Sequence, residues 1–277
     1  MDNLIDIIIP VFNAEETLPR CLDSILAQTE SRWRVLLSDD CSTDGSREMM
    51  QSYAERDSRF VCLFGEQNRG VSETRNRALE ELSGKYTAFL DSDDWWEPNM
   101  LQTLLELAQR TGADIAHCEY TVNYADGREA SDEGLFDTPT VLDAGKYGQL
   151  LEKMLTGITM NHIWGKLIRT DLLRGIRFDP KLKTAEDMLV HFQILQRSRR
   201  YACIPDRLYH YYRAGSSLTH SSLSVSEKWK ANRRVSTAII RSLPGTRFNS
   251  AKYRVLAFLR PYLITVPKLL RMVRDRK

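Results

Sequence analysis

The chain is poor in cysteine and shows no cysteine pattern. Cys21, Cys41, Cys62, Cys118 and Cys203 are odd in number and far apart, with no Cys-x-x-Cys and no zinc spacing. That argues against a disulfide framework and for a reducing compartment. Long apolar runs are missing as well. None reaches the roughly 18 residues that a bilayer span requires. The nearest, Val255 to Leu270, is interrupted by Arg260, Pro261, Pro267 and Lys268. Met1-Asp2-Asn3 has no positive stretch, so a secretory signal is not expected and a cytoplasmic protein is. There is no internal repeat and no low-complexity tract. The loop after the first apolar run, Phe12-Asn13-Ala14-Glu15-Glu16, has no glycine and no cation. A metal-dependent nucleotidyltransferase would need both there to hold phosphates. A phospho-acceptor signalling module would end near half of this length.

What the chain does have is an uneven charge. Net charge is +2 overall, yet Val225 to Lys277 holds 14 Lys and Arg against Glu227 and Asp275. The remainder is therefore acidic. An acidic body with a basic tail implies an anionic partner for the tail. An apolar share of 42% supports a sizeable core.

Apolar periodicity organises the first half. Ile5 to Val11, Arg34 to Ser38, Phe60 to Phe64 and Tyr86 to Leu90 are short β-branched or aromatic runs, as for strands buried on both faces. Between them, Glu15–Thr29, Ser46–Arg56 and Ser72–Leu82 carry helical spacing, and Pro98–Gln109 follows. Alternation at this spacing predicts an α/β, doubly wound, mostly parallel sheet flanked by helices. Asp114–Cys118 predicts a further strand, and Asn123–Asp143 a hairpin or loop. Lys146–Leu155, Ile163–Leu173 and Thr184–Ser198 predict helices, and Arg207–Arg213 a last strand. Ligands bind such sheets at the carboxyl ends of the strands.

Three sequence segments fall at those ends, and a fourth opens a helix. The most telling is Asp91-Ser92-Asp93-Asp94, directly after an apolar strand. Carboxylates this close repel one another unless a cation lies between them. Hard oxygen ligands suit Mg²⁺ or Mn²⁺, which typically takes one or two carboxylates plus substrate phosphates. Taken alone, such a tetrapeptide is more often a helix-capping turn. Pro10-Val11-Phe12-Asn13-Ala14-Glu15 ends the first strand and exposes backbone groups. Ser38-Asp39-Asp40-Cys41-Ser42-Thr43-Asp44-Gly45-Ser46 offers carboxylates for a nucleoside, or a capped turn. Asn68-Arg69-Gly70-Val71-Ser72-Glu73-Thr74-Arg75-Asn76 is a glycine loop opening a helix, with the Arg75 fork available for phosphate.

In this order and spacing the four segments resemble the inverting, nucleotide-sugar-dependent glycosyltransferases of family 2, which have the GT-A fold. The resemblance is close over residues 4–100 and weaker to about Leu223. It implies a GT-A domain over 1–223, and the charge pattern beyond it predicts a basic amphipathic helical tail over 224–277. The resemblance implies donor contacts at Pro10, Phe12, Asn13, Glu15, Asp39, Asp40, Arg75, Asp91 and Ser92, with Asp39 on the base. Metal, Mn²⁺ or Mg²⁺, falls to Asp93 and Asp91. Cys41 stands where the family usually has glycine. In the second half, Trp164-Gly165-Lys166-Leu167, Phe178-Asp179-Pro180 and Ala185-Glu186-Asp187 also look like the family. The resemblance makes Asp187 the general base, with Glu186 as substitute. Trp164, Lys166, His210 and His220 are weaker acceptor-side candidates.

The implied reaction moves a sugar, with inversion, from a nucleotide-diphosphate sugar (expected to be a UDP-sugar) to an acceptor hydroxyl. A glycan or lipid-linked acceptor is expected, as in cell-surface polysaccharide or glycolipid synthesis. The tail interleaves basic residues with Leu, Phe, Tyr and Met. That fits a helix on an anionic membrane surface, hence peripheral attachment to the inner face, or a pair packed on the acidic body. Nucleic acid is not an expected partner. A non-catalytic sugar-nucleotide-binding protein is the strongest rival, since binding requires Asp39 and Asp93 but not Asp187.

Overall fold

The computed structural model describes residues 5–131, 134–157, 161–182, 184–213, 224–246 and 248–274. The alternating half folds as its periodicity predicts. Strands β1 (Ile5–Val11), β2 (Trp33–Asp39), β3 (Phe60–Phe64) and β4 (Tyr86–Phe89) alternate with helices α1 (Leu18–Leu26), α2 (Ser46–Arg56) and α3 (Val71–Glu80). Ile5, Ile7, Ile8, Ile9 and Val11 of β1 are all fully buried, as a central parallel strand requires. Helix α1 starts three residues later than predicted, with Pro19 in its first turn, where a missing N–H costs nothing. It buries Leu18, Cys21, Leu22 and Ile25 along one face.

The chain continues through β5 (Trp95–Trp96), α4 (Met100–Thr111), β6 (Ile115–Tyr124), β7 (Glu129–Ala130), β8 (Thr140–Asp143), α5 (Gly148–Thr156) and β9 (Lys166–Arg169). Then come α6 (Glu186–Arg197), β10 (Arg200–Arg213), α7 (Val225–Ser242) and α8 (Ala251–Arg274). The ten strands among the described residues form one sheet, in the order β3-β2-β1-β4-β9-β6-β10-β5, with β7 on β6 and β8 on β10. The strands β1, β2, β3, β4, β6 and β10 run one way, and the short β5, β7, β8 and β9 run against them. Strand β1 has β2 on one side and β4 on the other, so the winding reverses there and opens a crevice at the carboxyl ends.

Ile163–Leu173 is not the predicted helix. Gly165 has φ +70°, which starts an extended run, and Lys166–Arg169 pairs antiparallel with both β4 and β6. Only Thr170–Leu173 turns, as a short 3-10 segment. The apolar pattern Leu167, Ile168, Leu172, Leu173 fits either period over so short a stretch.

The basic tail packs on the body through two helices. Ser224 and Glu227 form a reciprocal capping box that starts α7. Val235, Ile239 and Leu243 are fully buried, each contributing roughly 1.5–3 kcal/mol of transfer free energy. Helix α8 runs unbroken through Pro261 and Pro267. Its buried Arg260 donates to the carbonyls of Met154, Leu155 and Gly157 at 2.6, 3.2 and 3.3 Å, and so caps the end of α5. Among the described residues no helix is long and apolar enough to cross a membrane.

Candidate active site

The loops after β1 and β2 are laced together by hydrogen bonds. Asn13 donates its N–H to Ser42 Oγ (3.0 Å), and its Oδ1 accepts from the Thr43 N–H (2.8 Å). Glu15 is tied to Asp44 and Gly45 in the same way. The Glu15 N–H reaches Asp44 Oδ2 at 3.0 Å, and Glu15 Oε2 accepts from the Gly45 N–H at 2.7 Å. Asn13 and Cys41 both take positive φ, +47° and +62°. The side chain at 41 therefore sits in the left-handed region that favours glycine. Pro10 lies within β1, and Phe12 points outward from the loop, 39% exposed.

Asp39 and Asp40 hold this platform together. The Asp39 carboxylate is fully buried. It accepts the N–H groups of Cys41 (2.9 Å) and Ser42 (3.0 Å) and the Arg47 Nε (2.7 Å). The Asp39 carboxylate is thus fully engaged, with Arg47 as its cationic partner. Asp40 spans to the glycine loop, accepting from the N–H groups of Arg69 and Gly70, both at 2.8 Å. Its role here is to shape that loop.

The acidic centre is assembled by one buried arginine. Arg75, on α3, is 4% exposed. It donates to Asp91 Oδ1 at 2.8 Å, to Asp187 Oδ1 at 2.7 Å and to Glu186 Oε1 at 3.3 Å. Its fork is thus engaged by carboxylates, and it joins the turn after β4 to the start of α6. Asp187 Oδ2 also accepts from the Ile163 N–H at 3.4 Å. Burial pushes the Asp187 carboxyl up to about 7, against the pull of Arg75, with Glu186 and Asp91 adding to the rise. A carboxyl poised near 7 is suited to accept a proton at neutral pH. The preceding Ala185 is left-handed, φ +64°, and aims this pair inward.

Asp93 and Asp94 part company. Asp94 is buried, accepting from Tyr209 Oη at 2.5 Å and the Tyr212 N–H at 2.7 Å. No cation pairs with the Asp93 carboxylate among the described residues. Burial and then Asp91 raise it to about 6. Ser92 lies between them on the half-buried turn. Arg20 of α1 donates to the Asp93 carbonyl at 2.8 Å, its guanidinium lying 3.8 Å from the Trp95 ring centre. Trp164 stacks between His162 (3.7 Å) and Tyr209 (4.3 Å), linking the loop beside Asp187 to the strand that holds Asp94.

Two acceptor-side candidates prove to be braces. Lys166 is fully buried and donates to the carbonyls of His162 (2.9 Å) and Trp164 (3.2 Å). Both ring nitrogens of His210 are engaged, with Asn123 Oδ1 at 3.1 Å and Glu97 Oε1 at 2.8 Å, and the ring stacks on Trp95. That leaves His210 no nitrogen for a metal or a pyrophosphate. His220 lies outside the described residues.

A family model described as glycosyl transferase family 2 matches residues 6–176, which carry both the platform and Arg75 with Asp91. The chain belongs to glycosyl transferase family 2. Glycosyltransferase GlyA of Streptococcus pneumoniae serotype 4 is 32% identical over 238 residues, covering 83% of this chain and 33% of its own. TuaG of Bacillus subtilis strain 168, named for teichuronic acid biosynthesis, is 29% identical over 229 residues, 82% of this chain and 84% of its own. So this chain spans a third of one relative and most of the other. Among solved structures, S. aureus TarS 1-349 in complex with UDP-GlcNAc superposes with a TM-score of 0.76 at 20% identity, over 94% of this chain and 72% of that one. The fold is GT-A.

Within this family-2 chain, the sequence did not flag four residues that shape the site. Arg20 and Arg47 sit in helices whose surface reads as ordinary solvated charge. Arg77 donates to the Asp39 carbonyl at 2.7 Å from one turn of α3, and Asn76 clasps Phe178 through two hydrogen bonds of 2.8 and 2.9 Å. The last pair fixes the Phe178-Asp179-Pro180 segment on α3. Among the described residues no three His, Cys, Asp or Glu side chains converge as a complete metal site. Asp91 and Asp93 nonetheless fit a hard divalent cation. They are two neighbouring carboxylates, and the one without a cationic partner is held above its ordinary value by burial.

Proposed function

We propose that this chain transfers a sugar, with inversion, from a UDP-sugar to an acceptor hydroxyl during synthesis of a cell-surface polysaccharide or glycolipid. The observation that carries the reading is the Arg75 junction. It sets Asp187, a carboxyl near neutral, within one side chain of the strand-end carboxylates. Asp187 takes the proton of the acceptor hydroxyl as that oxygen attacks the anomeric carbon. The bond from that carbon to the diphosphate oxygen breaks on the opposite face, and the diphosphate leaves with the electron pair. Glu186 shares the Arg75 guanidinium and is the substitute base. Arg75 is a positioning residue, since its fork is already filled. Asp39 reads the base once Arg47 moves aside, with Phe12 and Asn13 on the same platform.

Mn²⁺ or Mg²⁺ held by Asp93 and Asp91 would offset charge on the departing diphosphate. The UDP-sugar donor is supported by the TarS complex with UDP-GlcNAc, and Mn²⁺ by a Pyrobaculum calidifontis mannosyltransferase solved with GDP-Man and Mn²⁺. The polysaccharide setting is supported by TuaG. The test is a thermal-shift titration with UDP, with and without Mn²⁺, on wild type and Asp93→Ala. A ligand that binds only the folded state raises the melting temperature. Wild type should shift more with Mn²⁺ present, and the variant should lose that increment. Equal shifts in all four conditions would sink the metal-assisted donor site.

The tail supports attachment to an anionic membrane on the cytoplasmic side. Val255, Phe258, Leu259, Tyr262 and Leu263 are exposed, and their spacing puts them in one apolar stripe along α8. Lys252 and Arg254 are exposed at the start of that stripe, and a basic residue is worth about 1 kcal/mol near an anionic surface. Phe258→Ser should weaken co-sedimentation with anionic vesicles. No preference for anionic over neutral vesicles in wild type would remove the role.

A further inference from the structure

We propose that the groove between α6 and α7 binds a phosphate group carried by the acceptor. This rests on the sugar-transfer reading and narrows its acceptor to an anionic, phosphate-bearing glycan or glycolipid. The groove has a volume of about 460 Å³. Helix α7 lines it with Lys230, Arg233, Arg234 and Arg241. Positions 230, 233, 234, 237 and 241 follow one face of a helix, so these cations are neighbours. Like charges at such spacing oppose helix formation. One acid faces them, Asp179, and it pairs with Arg234 at 3.7 Å. Among the described residues no carboxylate pairs with Lys230, Arg233 or Arg241. The fold thus gathers four cations around a concave surface and supplies one counter-charge.

Apart from Thr237, the rest of the lining is apolar. Leu182 and Leu189 face Trp229, whose ring carries the Arg233 guanidinium 5.3 Å from its centre. Arginine forks suit phosphate oxygens bidentately, and the apolar floor suits the sugar or chain beside them. A short, open groove with this mixture fits one or two phosphates better than a continuous nucleic-acid track.

Its location gives the site its use. The loop holding Asp179 and Leu182 runs directly into α6, which opens with Glu186 and Asp187. Ser72 Oγ donates to the Asp179 carbonyl at 3.3 Å, tying that loop to the helix of Arg75. Leu189 lies one turn beyond Glu186, on the same side of α6. A phosphate held here is therefore close to the acidic centre but outside it. Binding of such a remote group would orient the attacking hydroxyl.

The experiment titrates inorganic pyrophosphate into the full chain with UDP and Mn²⁺ at saturation, so that the donor site is filled, and reads tryptophan fluorescence. Wild type should bind pyrophosphate saturably, with a signal lost in Trp229→Phe. Arg233→Ala combined with Arg241→Ala should weaken it by about tenfold or more, as for lost hydrogen bonds to a charged ligand, with UDP affinity unchanged. The milder pair Arg233→Gln and Arg241→Gln gives the same readout if the first variant folds poorly. UDP binding that is intact, alongside pyrophosphate binding that is absent or equal in wild type and variants, overturns the groove and leaves the transfer reading standing. Absent UDP binding in wild type overturns the transfer reading, and the groove's role with it. Variants that keep pyrophosphate affinity but lose binding to phosphatidylglycerol vesicles would make the surface a lipid contact and overturn the acceptor assignment.

Discussion

Two groups of aspartates stand at the same end of the sheet and keep different company. In the platform after β1 and β2, Asp39, Asp40 and Asp44 accept backbone N–H groups and fix the loops. Hydrogen bonds lower the Asp44 carboxyl despite some burial. Around the turn after β4 and the start of α6, Asp93 and Asp187 are raised instead, to about 6 and about 7. The same residue type thus builds structure where amides serve it, and holds chemical potential where burial outweighs its partners. A motif identifies both groups equally well; the partners separate them.

The largest effect should come from removing the proton acceptor. Asp187→Asn is expected to lower transfer by about 10²–10⁴-fold while UDP affinity stays near wild type. Full activity would erase the contrast between the two groups and move the base to Glu186. The pH dependence sharpens the same point. Asp187 must be ionised to act, so transfer should climb as pH rises through about 7. Stability should move oppositely. A carboxyl raised in the folded state stabilises it most fully below about 4, its unfolded value, and that contribution is lost as pH rises through about 7. Melting curves from pH 5 to 8 should show this decline in wild type and not in Asp187→Asn.

Next in size is the loss of the shared cation. Arg75→Met leaves Asp91, Glu186 and Asp187 without their common partner, and breaking a buried pair from one side costs about 3–5 kcal/mol. The carboxylates keep some solvent contact, so the lower end is expected in urea unfolding. A midpoint equal to wild type would show that the acidic centre is held by something else.

The smallest effect belongs to the platform. Cys41→Gly removes a left-handed strain of about 1 kcal/mol and should raise the urea midpoint slightly, with transfer unchanged. A large change in transfer would give Cys41 a part in donor contact and break the division between the two groups.

The strands and helices of the first half were legible because apolar period and cap residues act over a few residues. Asp91 and Asp93 stood out through their place after an apolar strand, whereas Asp187 and Cys41 were marked only by the family resemblance. Other assignments depended on partners far along the chain. Arg75 meets Asp187 across 112 positions, and its engagement by carboxylates instead of phosphate is invisible in either segment. His210 looked available until Glu97 and Asn123 arrived from other elements. Ile163–Leu173 was misread because four apolar residues at ambiguous spacing became a strand only through pairing with β4 and β6.

The Arg260 cap on α5 has a consequence for anyone who divides this polypeptide into pieces. Cutting before α7 would strip the carbonyls of Met154, Leu155 and Gly157 of their donor and bare the Phe192 ring that Phe248 now covers. A fragment ending near residue 223 would therefore carry a frayed α5 and a bared face of α6. Any loss of function in it would report disrupted cooperativity as much as a missing docking surface, so the tail is better probed by single side-chain changes on its outer face.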